Sequence, residues 1–109
     1  MRKITSLLML FCAFVGSAFA QLVETSTAEN PIYYVIASYN RGGVITYDAV
    51  GEAIQHKAAT NDGKCEWYFE AAPDNADGGV YVVNKCKDGE NKLYLGADKK
   101  VSTTPAVWY

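Results

Sequence analysis

Short apolar runs alternate with turn residues from Ile32 to the end of the chain. The runs are rich in Val, Ile and Tyr, and they are separated by stretches such as Asn40-Arg41-Gly42-Gly43 and Asn61-Asp62-Gly63. Runs of this length and composition are typical of strands joined by tight turns. No segment has a convincing helical face. The pattern therefore predicts an all-β domain of eight short strands.

These eight runs follow a four-step order that occurs twice. The first occurrence covers 33–36, 43–47, 53–56 and 66–69, and the second covers 79–83, 92–96, 100–103 and 107–109. Ile36 and Val82 lie 46 positions apart, and Trp67 and Trp108 lie 41 apart. An internal period in this range is typical of repeat architectures. The sequence thus predicts two four-stranded repeats, the first at 32–71 and the second at 79–109.

The N-terminus has the pattern of a secretory signal peptide. Arg2 and Lys3 precede an apolar stretch at 7–15, and Ala18-Phe19-Ala20 supplies the small residues of a cleavage site. The apolar stretch is shorter than the roughly 20 residues that cross a bilayer. We therefore expect 1–20 to be removed, no membrane span, and a secreted or periplasmic protein.

The 89 residues from Gln21 onward are enough for one small domain. Residues 21–31 are polar and end at the turn signal Asn30-Pro31, so we expect a flexible lead-in. After cleavage the chain has eight basic and twelve acidic residues, which gives a formal charge of −4. A mildly acidic chain without basic clusters argues against nucleic acid and anionic membrane as partners.

Two cysteines remain after cleavage, Cys65 and Cys86. An even number of cysteines in a small exported domain predicts a disulfide, here closing a loop of about 20 residues that stabilises by roughly 3 kcal/mol. Two unpaired thiols are the alternative. No metal site is expected, because His56 alone could join the thiols and no CxxC spacing is present.

The repeat order resembles that of the ricin-type β-trefoil lectins. The resemblance covers 32–109 and rests on three segments in the first unit and three in the second: 34–38, 43–47 and 67–69, then 80–84, 93–96 and 108–109. A trefoil has three such units, each with two barrel strands and a cap hairpin. The resemblance therefore implies an open barrel that is either truncated or completed by self-association.

Catalytic patterns are nearly absent from the sequence. His56 is the single histidine, and no serine lies in a GxSxG elbow. The carboxylate pairs Asp48 with Glu52 and Asp74 with Asp77 could bind calcium or act as acid and base, but turn chemistry accounts for them and no EF-hand spacing surrounds them. We expect no enzymatic activity and no cofactor.

Sugar recognition needs an aromatic ring and a few fixed polar groups. The resembled lectins form such a pocket in each unit, and here the resemblance implies a ligand-binding site at Asn40, Tyr47 and Asp48, with Tyr39 nearby. The counterparts in the second unit are Asn84, Tyr94 and Asp98. The expected function is that of an exported, non-catalytic carbohydrate-binding module. The alternative is an extracellular protein-interaction or structural module, or a fragment of a larger secreted protein.

Overall fold

The computed structural model describes residues 23–37, 40, 42–73 and 78–109, and the predicted signal peptide lies outside these ranges. All regular secondary structure in the described ranges is β, which confirms the all-β prediction. The described residues form six strands: β1 Val44–Thr46, β2 Gln55–Lys57, β3 Trp67–Ala71, β4 Val80–Asp88, β5 Asn91–Leu95 and β6 Val101–Ser102. Strands β1 and β2 pair with each other, and β3 to β6 form a four-stranded antiparallel sheet in chain order. The described residues contain no helix capable of crossing a membrane.

The first and last of the eight predicted strands form isolated bridges rather than full strands. Tyr34 exchanges two backbone hydrogen bonds with Trp67, at 2.6 and 2.9 Å, and Val80 exchanges two with Trp108, both at 2.8 Å. The two bridges involve positions separated by the same offsets, 46 and 41, that relate the runs in the sequence. The pairing between the beginning and the end of each half therefore recurs along the chain.

A hairpin lies in the middle of each half, and the two hairpins contact each other. The first is β1 with β2, and the second is β5 with β6. Ala53 of the first half bridges Lys100 of the second, and the Gly51 N–H donates to the Val101 carbonyl at 2.6 Å. The two halves thus associate through backbone hydrogen bonds as well as through side chains.

The core lies between these elements and combines aromatic and branched side chains. Trp67, Phe69, Leu93 and Val101 have no exposed surface. The Trp67 indole also donates to the Ile45 carbonyl at 3.1 Å, so its polar atom is satisfied inside the core. These inward positions alternate along β3 and β5 with less buried ones, as the two-residue period of a strand requires.

The β4–β5 hairpin is longer than the sequence pattern predicts. Residues 87–91 read as a turn, yet the two strands pair as far as Asp88 and Asn91. Only Gly89 and Glu90 remain between them, and Gly89 has the positive φ of 66° that such a tight turn favours. A bulge between Val83 and Lys87 interrupts the ladder.

The segment expected to be a flexible lead-in instead contacts the core from residue 23. Val23 is buried, Thr25 forms a parallel bridge with Phe69, and the Ser26 N–H donates to the Phe69 carbonyl at 2.8 Å. The Ser26 hydroxyl in turn accepts from the Ile32 N–H at 2.9 Å. The polar composition of this segment did not indicate that Val23 is buried or that Thr25 pairs with the edge of β3.

The expected disulfide is absent, and both Cys65 and Cys86 are free thiols. The Cys65 sulfur contacts the Thr60 carbonyl at 3.3 Å, and the Cys86 sulfur contacts the Asp62 carbonyl at 3.4 Å. Each thiol therefore engages a different carbonyl of the 60–64 loop. An even number of cysteines and the expected export could not show that the thiols are unpaired, because a disulfide also needs matched side-chain geometry.

Candidate functional site

A small polar depression lies where β1, β2 and the 60–64 loop meet. Its volume is about 200 Å³. We call it the polar depression, and its charged and hydroxyl-bearing residues are Thr46, Asp48, Lys57, Thr60, Asp62 and Lys64. Tyr47 and Ala58 complete the lining. The site therefore combines two carboxylates, two ammonium groups and two hydroxyls beside one aromatic ring.

Asp48 follows β1, and its carboxylate is held by side chains of β2, the strand that pairs with β1. Oδ1 accepts from Lys57 Nζ at 2.9 Å, and Oδ2 accepts from Gln55 Nε2 at 2.7 Å. The hydrogen bond from Lys57, followed by that from Gln55, lowers the pKa of Asp48 below its ordinary value. Asp48 therefore carries its charge at neutral pH, and both oxygens keep lone pairs for further donors.

Asp62 is fixed by its own loop. Its Oδ1 accepts from the Thr60 hydroxyl at 2.7 Å and from the Lys64 N–H at 3.0 Å, the geometry of an Asx turn. The Thr60 hydrogen bond and then the backbone bond from Lys64 lower the pKa of Asp62. Both described bonds go to Oδ1, so Oδ2 is available as an acceptor for a ligand.

Lys64 connects the loop to the first hairpin. Its Nζ donates to the Asp48 backbone carbonyl at 3.0 Å and lies 5.2 Å from the centroid of the Tyr47 ring, within cation–π range. An ammonium group has three donors. Lys64 thus orders the floor of the polar depression and retains donors for a bound molecule.

Tyr47 is the most buried of the three predicted ligand-binding residues, at 5 % exposure. Burial raises the pKa of its phenol to about 12, with the neighbouring Cys86 thiol contributing next. Lys64 lies over its ring. Tyr47 therefore contributes to the polar depression from inside the wall, and little of its ring face is open for stacking on a sugar.

The structure brings Tyr47 and Asp48 together but does not place Asn40 with them. Asn40 is exposed and does not line the polar depression. Tyr39, Asp74 and Asp77 lie outside the described residues. Among the counterparts in the second unit, Asn84 is 2 % exposed and bridges the Lys64 carbonyl, at 3.0 Å, and the Cys86 N–H, at 2.9 Å. Its role in the structure is to satisfy backbone groups at the β4 bulge.

Sequence reasoning missed six of the eight described residues that line the polar depression: Thr46, Lys57, Ala58, Thr60, Asp62 and Lys64. The sequence predicts a turn at Asn61-Asp62-Gly63, and this turn, with Thr60 directly before it, was the available signal for a site. Lys57 lies beside Asp48 because of the register of the β1–β2 hairpin, in which Lys57 pairs with Val44. That register was not predicted.

Within the described ranges, no three His, Cys, Asp or Glu side chains cluster closely enough to hold a metal ion. The two carboxylates are instead hydrogen-bonded to Lys57, Gln55 and Thr60.

Comparisons with protein-family models, curated proteins and solved structures found no match to this chain.

Proposed function

We propose that this chain is an exported, non-catalytic module that binds carbohydrate in the polar depression. The observation that carries the proposal is the fixed arrangement of Asp48, Lys57, Asp62 and Lys64 around a space of about 200 Å³. Sugars present many hydroxyls that both donate and accept hydrogen bonds. Ionised carboxylates accept from such hydroxyls and ammonium groups donate to them, and hydrogen bonds to charged groups are the stronger kind.

The volume limits the ligand to about one sugar unit. Sites for drug-sized molecules occupy roughly 300 Å³ or more, and the polar depression is smaller. A shallow site with a few hydrogen bonds supports about millimolar affinity, near −4 kcal/mol. Useful binding would then need several sites on one surface, through avidity.

The proposed architecture is an incomplete trefoil-like barrel of two repeats. Supporting it are the two bridges Tyr34–Trp67 and Val80–Trp108 and the contact between the two hairpins at Ala53 and Lys100. The proposed location outside the cytoplasm, secreted or periplasmic, rests on the N-terminal pattern of Arg2, Lys3 and the apolar stretch.

A binding titration with matched aspartate variants tests the proposed function. A glycan array identifies the sugar, and titration then compares Asp62→Asn with Asp98→Asn. Each aspartate uses Oδ1 to accept from the backbone N–H two residues later, Lys64 or Lys100, at 3.0 Å. Asparagine keeps that acceptor in both turns, so the two variants should be similarly stable.

We expect Asp62→Asn to weaken sugar binding about fivefold to tenfold, because a hydrogen bond to a charged group is replaced by one to a neutral group. Asp98 was implied as a second-unit counterpart but lies outside the polar depression, so Asp98→Asn should leave binding in the polar depression at the wild-type level. Absence of binding to any glycan at millimolar concentration, or equal losses in both variants, would contradict the proposal.

A protein-interaction module is the second candidate. Val107 and Tyr109 are 40 % and 54 % exposed and lie two positions apart near the last bridge. Exposed large apolar side chains of this kind occur at protein interfaces. This candidate predicts that the chain forms oligomers or binds a partner protein through these residues. It also predicts that sugar does not shift the amide NMR signals of Asp48 or Asp62.

A further inference from the structure

An apolar cavity of about 390 Å³ is lined by residues from both halves of the chain and shares no described lining residue with the polar depression. We call it the apolar cavity. Its aliphatic walls come from Ile36, Ile45 and Ile54 of the first half and from Val82 and Leu95 of the second. Its volume is within the range of small-molecule sites, roughly 300–1,000 Å³.

The aromatic wall of the apolar cavity is Trp108. Its indole N–H donates to the Leu95 carbonyl at 3.0 Å, so the one polar atom of the ring is already satisfied. Ile45, Ile54 and Trp108 are only partly buried against the core. The apolar cavity thus presents carbon surface to solvent, and an apolar body placed there would lose no hydrogen bonds of the wall.

Among the described residues that line the apolar cavity, Lys99 is the one with a charged side chain, and Tyr109 completes the lining. Lys99 lines the apolar cavity, and its backbone is held in place because its N–H donates to the Gly96 carbonyl at 2.9 Å and its carbonyl accepts from the Ile54 N–H at 2.8 Å. Its φ is 66°, the left-handed conformation. Within the described part of the chain, the salt bridges join Lys57, Lys85 and Lys92 to carboxylates and none includes Lys99.

A second depression continues from the apolar cavity. It has a volume of about 410 Å³ and is lined by Ala53, Ile54, His56 and Lys99. Ile54 and Lys99 are shared by both spaces. The neighbouring carboxylate, Asp98, accepts from the Lys100 N–H at 3.0 Å and lines neither space. Lys99 is therefore the charged side chain that both spaces share.

We propose that the apolar cavity binds a small amphiphilic anion, such as a medium-chain carboxylate. Its hydrocarbon body packs against Ile36, Ile45 and Trp108, and its anionic head lies beside Lys99 at the boundary with the second depression. Hydrophobic burial supplies most of the binding, and the ammonium group supplies the preference for an anion. This ligand class and this site are independent of sugar binding in the polar depression.

Decanoate and decanol are the probes that test the site, because they share a chain length and differ in charge. Trp108 lines the apolar cavity, so a bound alkyl chain should shift tryptophan emission to shorter wavelength as water leaves the indole. We expect decanoate to bind with a dissociation constant below about 1 mM and at least about fivefold more tightly than decanol.

Two lysine variants separate the role of Lys99 from net charge. Lys99→Met keeps the alkyl stem and removes the ammonium group, and it should abolish the preference for decanoate over decanol. Lys87→Met changes net charge equally on the exposed part of β4 and should preserve that preference. Thermal unfolding of both variants checks that they fold.

Three results would overturn the proposal. The first is an emission spectrum that decanoate leaves unchanged up to millimolar concentration. The second is a preference for decanoate that survives in Lys99→Met, and the third is an equal loss of that preference in both variants. Light scattering on the same samples provides a fourth. If the protein forms a dimer that decanoate cannot dissociate or enter, a second copy covers the apolar cavity and the small-molecule site is wrong.

Discussion

Trp67 and Trp108 make equivalent contacts in the two halves of the chain. The Trp67 indole donates to the Ile45 carbonyl at 3.1 Å, and the Trp108 indole donates to the Leu95 carbonyl at 3.0 Å. The backbone of each tryptophan also exchanges two hydrogen bonds with the beginning of its own half. The two residues differ in burial, because Trp67 has no exposed surface whereas Trp108 is partly exposed at the apolar cavity.

This difference predicts unequal costs for the same substitution. Trp67→Phe removes a buried hydrogen bond and leaves a cavity, and we expect it to lower the free energy of unfolding by about 3 kcal/mol. Trp108→Phe loses the equivalent hydrogen bond at a site that water can reach, so we expect about 1 kcal/mol. Urea denaturation of the two variants measures both values. Equal losses would show that the two positions are not distinguished by burial.

Gly43 and Gly89 provide a matched pair that tests the β1–β2 hairpin. Both have positive φ, 69° and 66°, so alanine is strained at either position. A Cβ at Gly43 would lie 2.7 Å from the Lys57 carbonyl oxygen, whereas a Cβ at Gly89 would meet open space. We expect Gly89→Ala to cost about 1 kcal/mol, the backbone strain alone.

The Gly43→Ala variant should cost clearly more, about 3 kcal/mol, because β1 and β2 must also separate. It should also weaken binding in the polar depression, since Lys57 is a β2 residue that bonds to Asp48. Chemical denaturation gives the two stabilities. If Gly43→Ala is no more destabilising than Gly89→Ala, the close approach of β1 and β2 at this position is incorrect.

The strand positions could be read from the sequence because apolar runs and Gly, Asn and Asp turns reflect local preferences. Trp67 and Trp108 were recognised as equivalent by their spacing alone. Only Tyr47 and Asp48 of the polar depression were predicted, because Lys57 and Lys64 reach Asp48 from 9 and 16 positions away along the chain. Such contacts depend on strand register and loop packing, which a one-residue shift would change.

The same limit explains the predicted lead-in and the predicted disulfide. Val23 is a single apolar residue in a polar segment, and nothing local shows that the edge of β3 is available to Thr25. Cys65 and Cys86 satisfy the compositional expectation for a bridge, but the carbonyls of Thr60 and Asp62 hold their sulfurs separately.

Alkaline pH should destabilise the protein through Tyr47. Burial raises the folded-state pKa of Tyr47 from 10.0 to about 12, so the folded protein retains this proton when the unfolded chain has lost it. The stabilisation is complete below pH 10 and is lost as the pH rises from 10 towards 12. Burial, and then Glu70, also raises the pKa of Tyr68.

We therefore expect the free energy of unfolding of Tyr47→Phe to fall less steeply with rising pH than that of the wild type. Part of the slope should remain because of Tyr68. Urea unfolding at several alkaline pH values measures these slopes. A Tyr47→Phe variant with an unchanged slope would show that the phenol is not shielded from water.

The most direct test of the proposed sugar site is a titration of isotope-labelled protein followed by amide NMR. With the sugar identified by glycan array, we predict that the amides of Tyr47, Asp48, Asp62 and Lys64 shift progressively and saturate with a dissociation constant of about 1 mM. The amide signals of residues near Ile54 and Trp108, at the apolar cavity, should not shift. Shifts confined to the apolar cavity, or no shifts at saturating sugar, would contradict carbohydrate binding in the polar depression.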